Sequence, residues 1–137
     1  MTTHLPALAA LVLTLAACVS PASGADKKAA ENAKARMAAA KKVYEGTFKR
    51  WQVDLTSGLS FESMYQWSRR WLDAERDLAD TKEARVAAIQ AHLDRMKKLE
   101  DLVRQWHRKG FVNNTDVAAG EFYRLEAEHW LDGGKGD

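Results

Sequence analysis

No proline occurs after Pro21. The chain has two, Pro6 and Pro21, and both precede Asp26, where the first charged side chain stands. From Asp26 onward run all 21 Lys+Arg and all 19 Asp+Glu of the 137 residues. A proline-free stretch of this length, rich in Ala, Lys, Glu, Arg and Leu, loses little side-chain entropy in a helix and contains no strong helix breaker. The expected fold class is therefore all-α. Charges of opposite sign are interleaved and sum to +2. That leaves no basic stripe able to displace counterions from many phosphates, and no nucleic-acid partner is expected.

Apolar spacing divides this stretch into four helical segments. The first, 26–56, carries Met37, Ala40, Tyr44, Phe48, Trp51 and Leu55 on one stripe and ends at Gly58. The second, 61–79, starts after Ser60 as N-cap and carries Phe61, Met64, Trp71, Leu72 and Leu78, with Ser68 and Glu75 breaking the stripe. Asp80 and Thr81 form a stop and a new cap. The third, 82–108, has the cleanest stripe, Ile89, Leu93, Met96, Leu99, Val103 and Trp106. Gly110 stands where a helix ends in a left-handed residue, with Arg108 and Lys109 beside the negative end of the helix dipole. After a turn through Asn113, Asn114 and Thr115, the fourth, 116–131, offers Val117, Phe122, Leu125 and Leu131. Residues 132–137 have nothing to bury and are expected to be disordered.

Setting Gly58 against Gly110, with one extra residue allowed in the second turn, aligns the halves: Met64 with Val117, Leu72 with Leu125, Ala74-Glu75 with Ala127-Glu128, and Leu78 with Leu131. Each half is a long helix, a glycine turn and a shorter helix. The expectation is two consecutive αα-hairpins, 26–79 and 82–131, in an elongated four-helix or coiled-coil-like arrangement. A first helix of that extent would be roughly 46 Å long against about 28 Å for its partner, so part of its stripe should need another surface. Counting back from the turns places Glu75 level with Lys41 or Lys42, and Glu128 level with Lys97 or Lys98, as expected ion pairs. Trp51, Trp71 and Trp106 fall on the stripes. Trp67 and Trp130 fall off them, which fits either exposure or a wider buried face.

The N-terminal part reads as an address. Leu5 to Ala17 is apolar except for Thr14 and is shorter than the roughly 20 residues a bilayer-spanning helix needs. It fits the apolar core of an export signal, although Met1 to His4 lacks Lys and Arg. Leu15-Ala16-Ala17-Cys18 resembles the bacterial lipobox. By that resemblance residues 1–17 are a lipoprotein-type signal peptide, Cys18 is lipidated, residues 18–25 are a tether, and the membrane is a partner through the lipid anchor. Val19 follows the cysteine where an aspartate marks retention in the inner membrane of enteric bacteria, so an outer-membrane lipoprotein facing the periplasm is expected. A soluble periplasmic or secreted chain, cut near Ala22 or Ala25, is the alternative.

A long basic helix, the turn Thr56-Ser57-Gly58-Leu59-Ser60, then Ala74-Glu75, Leu78-Ala79 and Thr81 to Ala88, and a second glycine turn leading to Arg124-Leu125-Glu126-Ala127-Glu128, resemble small exported bacterial proteins with TolC-like helical repeats. The resemblance covers most of residues 30–131. It implies a helical hairpin region and, as partner, a larger helical envelope protein or a second copy. This chain shows no alternating strands for a barrel, so a channel of its own is not implied.

Catalytic chemistry finds little footing. His92 and His107 lie roughly 22 Å apart on one helix, too far to share an ion, and these two and His129 are expected at the surface. The serines read as caps and turns, without a glycine-framed nucleophile elbow. No catalytic residue, metal ligand or cofactor is assigned, and the chain is expected not to be an enzyme. The rival reading is a periplasmic ligand- or metal-binding stress sensor.

Overall fold

The computed structural model describes residues 24–55 and 60–136. Cys18 and Gly58, together with the signal, lipidation and first-turn expectations, lie outside them. Among the described residues the fold is all-α, with four helices: α1 (Gly24–Val53), α2 (Phe61–Leu78), α3 (Lys82–Arg108) and α4 (Asn114–Gly136). No strand occurs among the described residues.

Local chemistry sets the helix ends. The Ser60 side chain accepts from the Ser63 backbone N–H at 3.2 Å, and Thr81 Oγ1 accepts from that of Ala84 at 3.1 Å, capping α2 and α3. At the end of α3, Gly110 takes φ +79°. Its N–H donates to the His107 carbonyl at 2.9 Å, and that of Phe111 donates to Trp106 at 3.0 Å, the paired bonds of a Schellman cap. The Phe111 ring then lies edge-on to Trp106, 5.5 Å between centroids. Asn113 caps α4: the Asp116 N–H donates to its side chain, and its own N–H donates back to Asp116, both at 3.0 Å.

Contacts fix the helix directions. Arg36 meets Asp77 at 2.6 Å while Trp51 meets Phe61 near the turn, so α1 and α2 run antiparallel. Glu100 meets Arg124 at 2.6 Å and Gly134 lies against Ile89, so α3 and α4 do the same. Across the hairpins, the Tyr44 hydroxyl donates to the Arg95 carbonyl (3.2 Å) and Trp106 Nε1 donates to the Trp51 carbonyl (2.9 Å), making α1 and α3 parallel. Tyr65 and Tyr123 stack at 4.0 Å between centroids, and their hydroxyls donate reciprocally, to Glu126 of α4 and Glu62 of α2. This makes α2 and α4 parallel. Close backbone packing joins consecutive helices. α2 and α3 thus form the central pair, α1 bridges them on one flank, and α4 on the other.

All six stripe residues expected on α3 are buried, as are Ala40, Tyr44 and Trp51 of α1 and Phe61, Met64 and Leu72 of α2. Three expectations need correction. Residues 132–136 are not a disordered tail; α4 continues to Gly136. Gly134 lies so close to α3 that a Cβ there would sit 3.3 Å from Ile89 Cδ1, which gives this end of the helix a surface to rest on. The stripe on α4 is also different. Gly120, Tyr123, Ala127 and Leu131 face inward, while Phe122 and Leu125 are 59% and 48% exposed. The alignment of Leu72 with Leu125 therefore does not extend to their packing, although Ala74 and Ala127 are both fully buried. Finally, the part of α1 before Ala33, its first buried residue, carries only alanine among apolar side chains, so no large apolar stripe there awaits a cover.

Candidate functional site

The two residues that break the α2 stripe open onto a polar centre. Ser68 and Glu75 are seven residues apart, with Leu72 between them, and so lie on one face of α2, turned toward α3. His92 and Arg95, one turn apart on α3, meet them. Arg95 Nε donates to Ser68 Oγ at 2.8 Å, and Ser68 Oγ lies 2.8 Å from His92 Nδ1. Arginine has only donors, so Ser68 accepts from Arg95 and turns its own proton to Nδ1. The imidazole proton is thereby assigned to Nε2, which is buried without a hydrogen-bond partner. The ring stacks on Trp130 of α4 at 5.7 Å and 22°. Burial, reinforced by the Arg95 and Arg69 charges, pushes the imidazole pKa down to about 3.

Arg95 is held from several sides. Its guanidinium covers the Trp71 ring at 3.9 Å and lies 3.6 Å from Glu75. Burial lowers its pKa, and the Glu75 carboxylate opposes that shift. Burial also pushes the Tyr44 hydroxyl pKa up, and that hydroxyl closes the network from α1. On the α4 side, Arg69 lies 4.2 Å from the Trp130 ring centroid and donates to the Tyr65 hydroxyl at 3.1 Å. Trp67 likewise carries Arg70 at 4.4 Å. Both tryptophans are partly buried against the core, so the wider buried face is the arrangement found.

Hydroxyl, imidazole and guanidinium together resemble a nucleophile with its base, but Ser68 and His92 are each 0% exposed. No substrate reaches the hydroxyl in this conformation. The network instead ties three helices to α3.

A second polar cluster joins α3 to α4 nearer solvent. Burial alone would raise the Glu100 pKa, but hydrogen bonds from Arg104 and Arg124 hold it below the usual carboxylate range. Arg124 also reaches Glu128 at 2.8 Å, and Arg104 lies 3.8 Å from Glu121.

The expected ion pairs are corrected. Glu75 is partly buried, but its partner is Arg95 of α3 rather than Lys41 or Lys42. Lys41 lies 3.9 Å from Glu45 and 5.7 Å from the Trp71 ring centroid, while Lys42 is exposed. Glu128 pairs with Arg124 one turn back on its own helix, and Lys97 and Lys98 are exposed. Gly110 has the left-handed conformation expected of it. His107 and His129 are exposed as expected; His92 is not, and Ser68 is neither a cap nor a turn residue. Arg95 escaped the sequence reading. Its signal was positional: it follows His92 by one turn and precedes Leu99 by one, on a helix facing another with two polar stripe breakers.

Among the described residues, no group of three His, Cys, Asp or Glu side chains is placed to hold a metal ion. No helix among them is long and apolar enough to cross a membrane. A cavity of about 600 Å³ lies between α1 and α3, lined by residues including Phe48, Leu102, Lys98 and Arg108. No family model matches the chain, and neither a curated protein nor a solved structure matches it.

Proposed function

We propose that the protein is a non-enzymatic, lipid-anchored helical protein of the cell envelope that acts through protein–protein contacts, a TolC-like hairpin region without a barrel. The observation that carries this reading is on α4. Its two large exposed apolar side chains, Phe122 and Leu125, stand one turn apart on the outward face, while Gly120, Tyr123, Ala127 and Leu131 occupy the inward one. An apolar pair displayed on a rigid helix suits contact with another protein surface. The buried polar centre supports the same reading, since it uses its reactive groups as ties. Attachment falls to acyl chains on Cys18, with the outer membrane, periplasmic side, as the destination.

The test is fractionation of cells making the wild-type chain or Cys18→Ala, with the mass of the mature N-terminus measured. The expected result is an acylated Cys18 in the membrane fraction and release of the variant. A processed variant that stays with the membrane, or an unmodified Cys18 in the wild type, would contradict the anchoring. Stoichiometric binding of a divalent metal in calorimetry would instead favour the stress-sensor rival.

A further inference from the structure

The two flanking helices carry opposite charge. α1 has eight Lys and Arg against three Asp and Glu, and α3 has seven against four, whereas α4 has two against five. The cavity between α1 and α3 is an open trough with this basic margin. It shares Phe48, Gln52 and Lys98 with a second cavity of about 400 Å³ that reaches Trp71 and Arg95. Along α3, from Arg95 to Arg108, the trough extends about 20 Å. On α4, Ala118, Phe122, Leu125, His129 and Asp132 recur at helical spacing, and all are exposed. From Ala118 to Asp132 that stripe is about 21 Å long. The trough has an aromatic floor, and its walls carry Lys49, Lys98, Arg104 and Arg108 against Glu45 and Asp101; the stripe has an apolar ridge on an acidic helix.

Charge decides between the surfaces that the ridge could meet. Facing α4 of another copy, the ridge would bring two acidic helices together, and facing an anionic lipid surface it would be repelled. Facing the α1/α3 trough it is attracted. Resting on the reading that the protein acts through helical contacts, we propose that the α4 ridge of one copy seats in the α1/α3 trough of a second copy. Because ridge and trough are different surfaces, each copy keeps one of each unfilled, and assembly continues head to tail into a ring or a filament. A helix face of this length is small for a stable interface, so assembly depends on concentration and weakens with salt.

The processed chain, purified from whichever cell fraction holds it, is followed by sedimentation velocity over a concentration series at low and high salt. The wild type should form species that grow beyond a dimer with concentration and shrink at high salt. Phe122→Arg with Leu125→Arg breaks the ridge, and Lys98→Glu with Arg108→Glu breaks the trough. Each double variant should lose every species above the monomer. An equimolar mixture of the two should give a one-to-one dimer and nothing larger, since a single intact ridge then meets a single intact trough. The altered side chains are exposed, and circular dichroism checks that each variant folds; the single charge reversals Leu125→Glu and Lys98→Glu serve as milder variants. A dimer that survives in the trough variant would show α4-to-α4 pairing and overturn the proposal, as would a mixture that stays monomeric while the wild type assembles. A wild type monomeric throughout would also overturn it. If that chain still migrates in a larger complex on native electrophoresis of membrane extracts, the broader contact reading stands and only self-assembly falls.

Discussion

α3 and α4 pack against each other along their length, yet only α4 mixes small residues into its buried face and leaves large apolar ones outside. α3 turns Leu93, Met96, Leu99 and Val103 inward, and each is at most 3% exposed. α4 turns in Gly120 and Ala127 as well as Tyr123 and Leu131, and leaves Phe122 and Leu125 in solvent. At Gly120 an added Cβ would meet the Glu100 Cα at 3.6 Å, an ordinary van der Waals contact. Such a helix is held by the inward Tyr123 and Leu131, by the stacking of Tyr65 on Tyr123 and by the Glu100–Arg124 bridge, with small residues between them. Its large apolar residues remain available to a partner.

The sharpest way to break this contrast is to truncate one leucine on each helix. Leu99→Ala removes a fully buried side chain and should lower the unfolding free energy by about 2–5 kcal/mol, whereas Leu125→Ala should stay within about 0.5 kcal/mol. Urea denaturation of both variants as monomers checks it; equal losses would mean that α4 packs through its outward stripe after all. Next in size is the tie between α2 and α3. Glu75→Ala leaves the buried Arg95 guanidinium without its carboxylate and should cost about 2 kcal/mol. A double-mutant cycle should give coupling of about 1 kcal/mol or more with Arg95 and none with Lys42.

Acid should loosen the α4 flank through His92. The unfolded chain binds a proton there near pH 6.5, while the buried imidazole, hemmed in by Arg95 and Arg69, accepts one only near pH 3. The contribution of the neutral ring to stability is complete above the unfolded value and falls as pH drops between the two, by about 1.4 kcal/mol per pH unit. His92→Gln should flatten that slope in denaturation curves between pH 6 and 4. The glycines supply the smallest effects, of opposite sign. Gly110→Ala forces a Cβ into a left-handed position and should cost about 1 kcal/mol. Gly120→Ala meets only an ordinary contact at Glu100 and should gain up to about 1 kcal/mol from helix propensity. Thermal melts of both variants measure the difference.

The same contrast explains what the sequence could reveal. Four helices, their caps at Ser60 and Thr81 and the α3 core were legible because long apolar residues at spacings of three and four leave one way to face inward. On α4 that rule picked Leu131, which is buried, and Val117, which packs against the core, but also Phe122 and Leu125, since hydropathy alone cannot see that a glycine and an alanine face inward. The polar centre was half legible. Ser68 and Glu75 stood out as stripe breakers, but counting residues across a turn assigns partners only within one hairpin, and Arg95 comes from the other. The end of α4 was misread for a related reason: Gly134 carries no apolar signal, yet its lack of a side chain is what lets it rest on Ile89.

The outward face of α4 as a contact surface is best tested by placing a photo-crosslinking amino acid at Leu125 in the full chain and irradiating living cells. Gln66, exposed on α2 and outside both the ridge and the trough lining, serves as the control position. The account predicts discrete higher-mass adducts from position 125, lost when Phe122 is replaced by Arg, and none from position 66. Absence of adducts at position 125, or the same adducts from both positions, would contradict it.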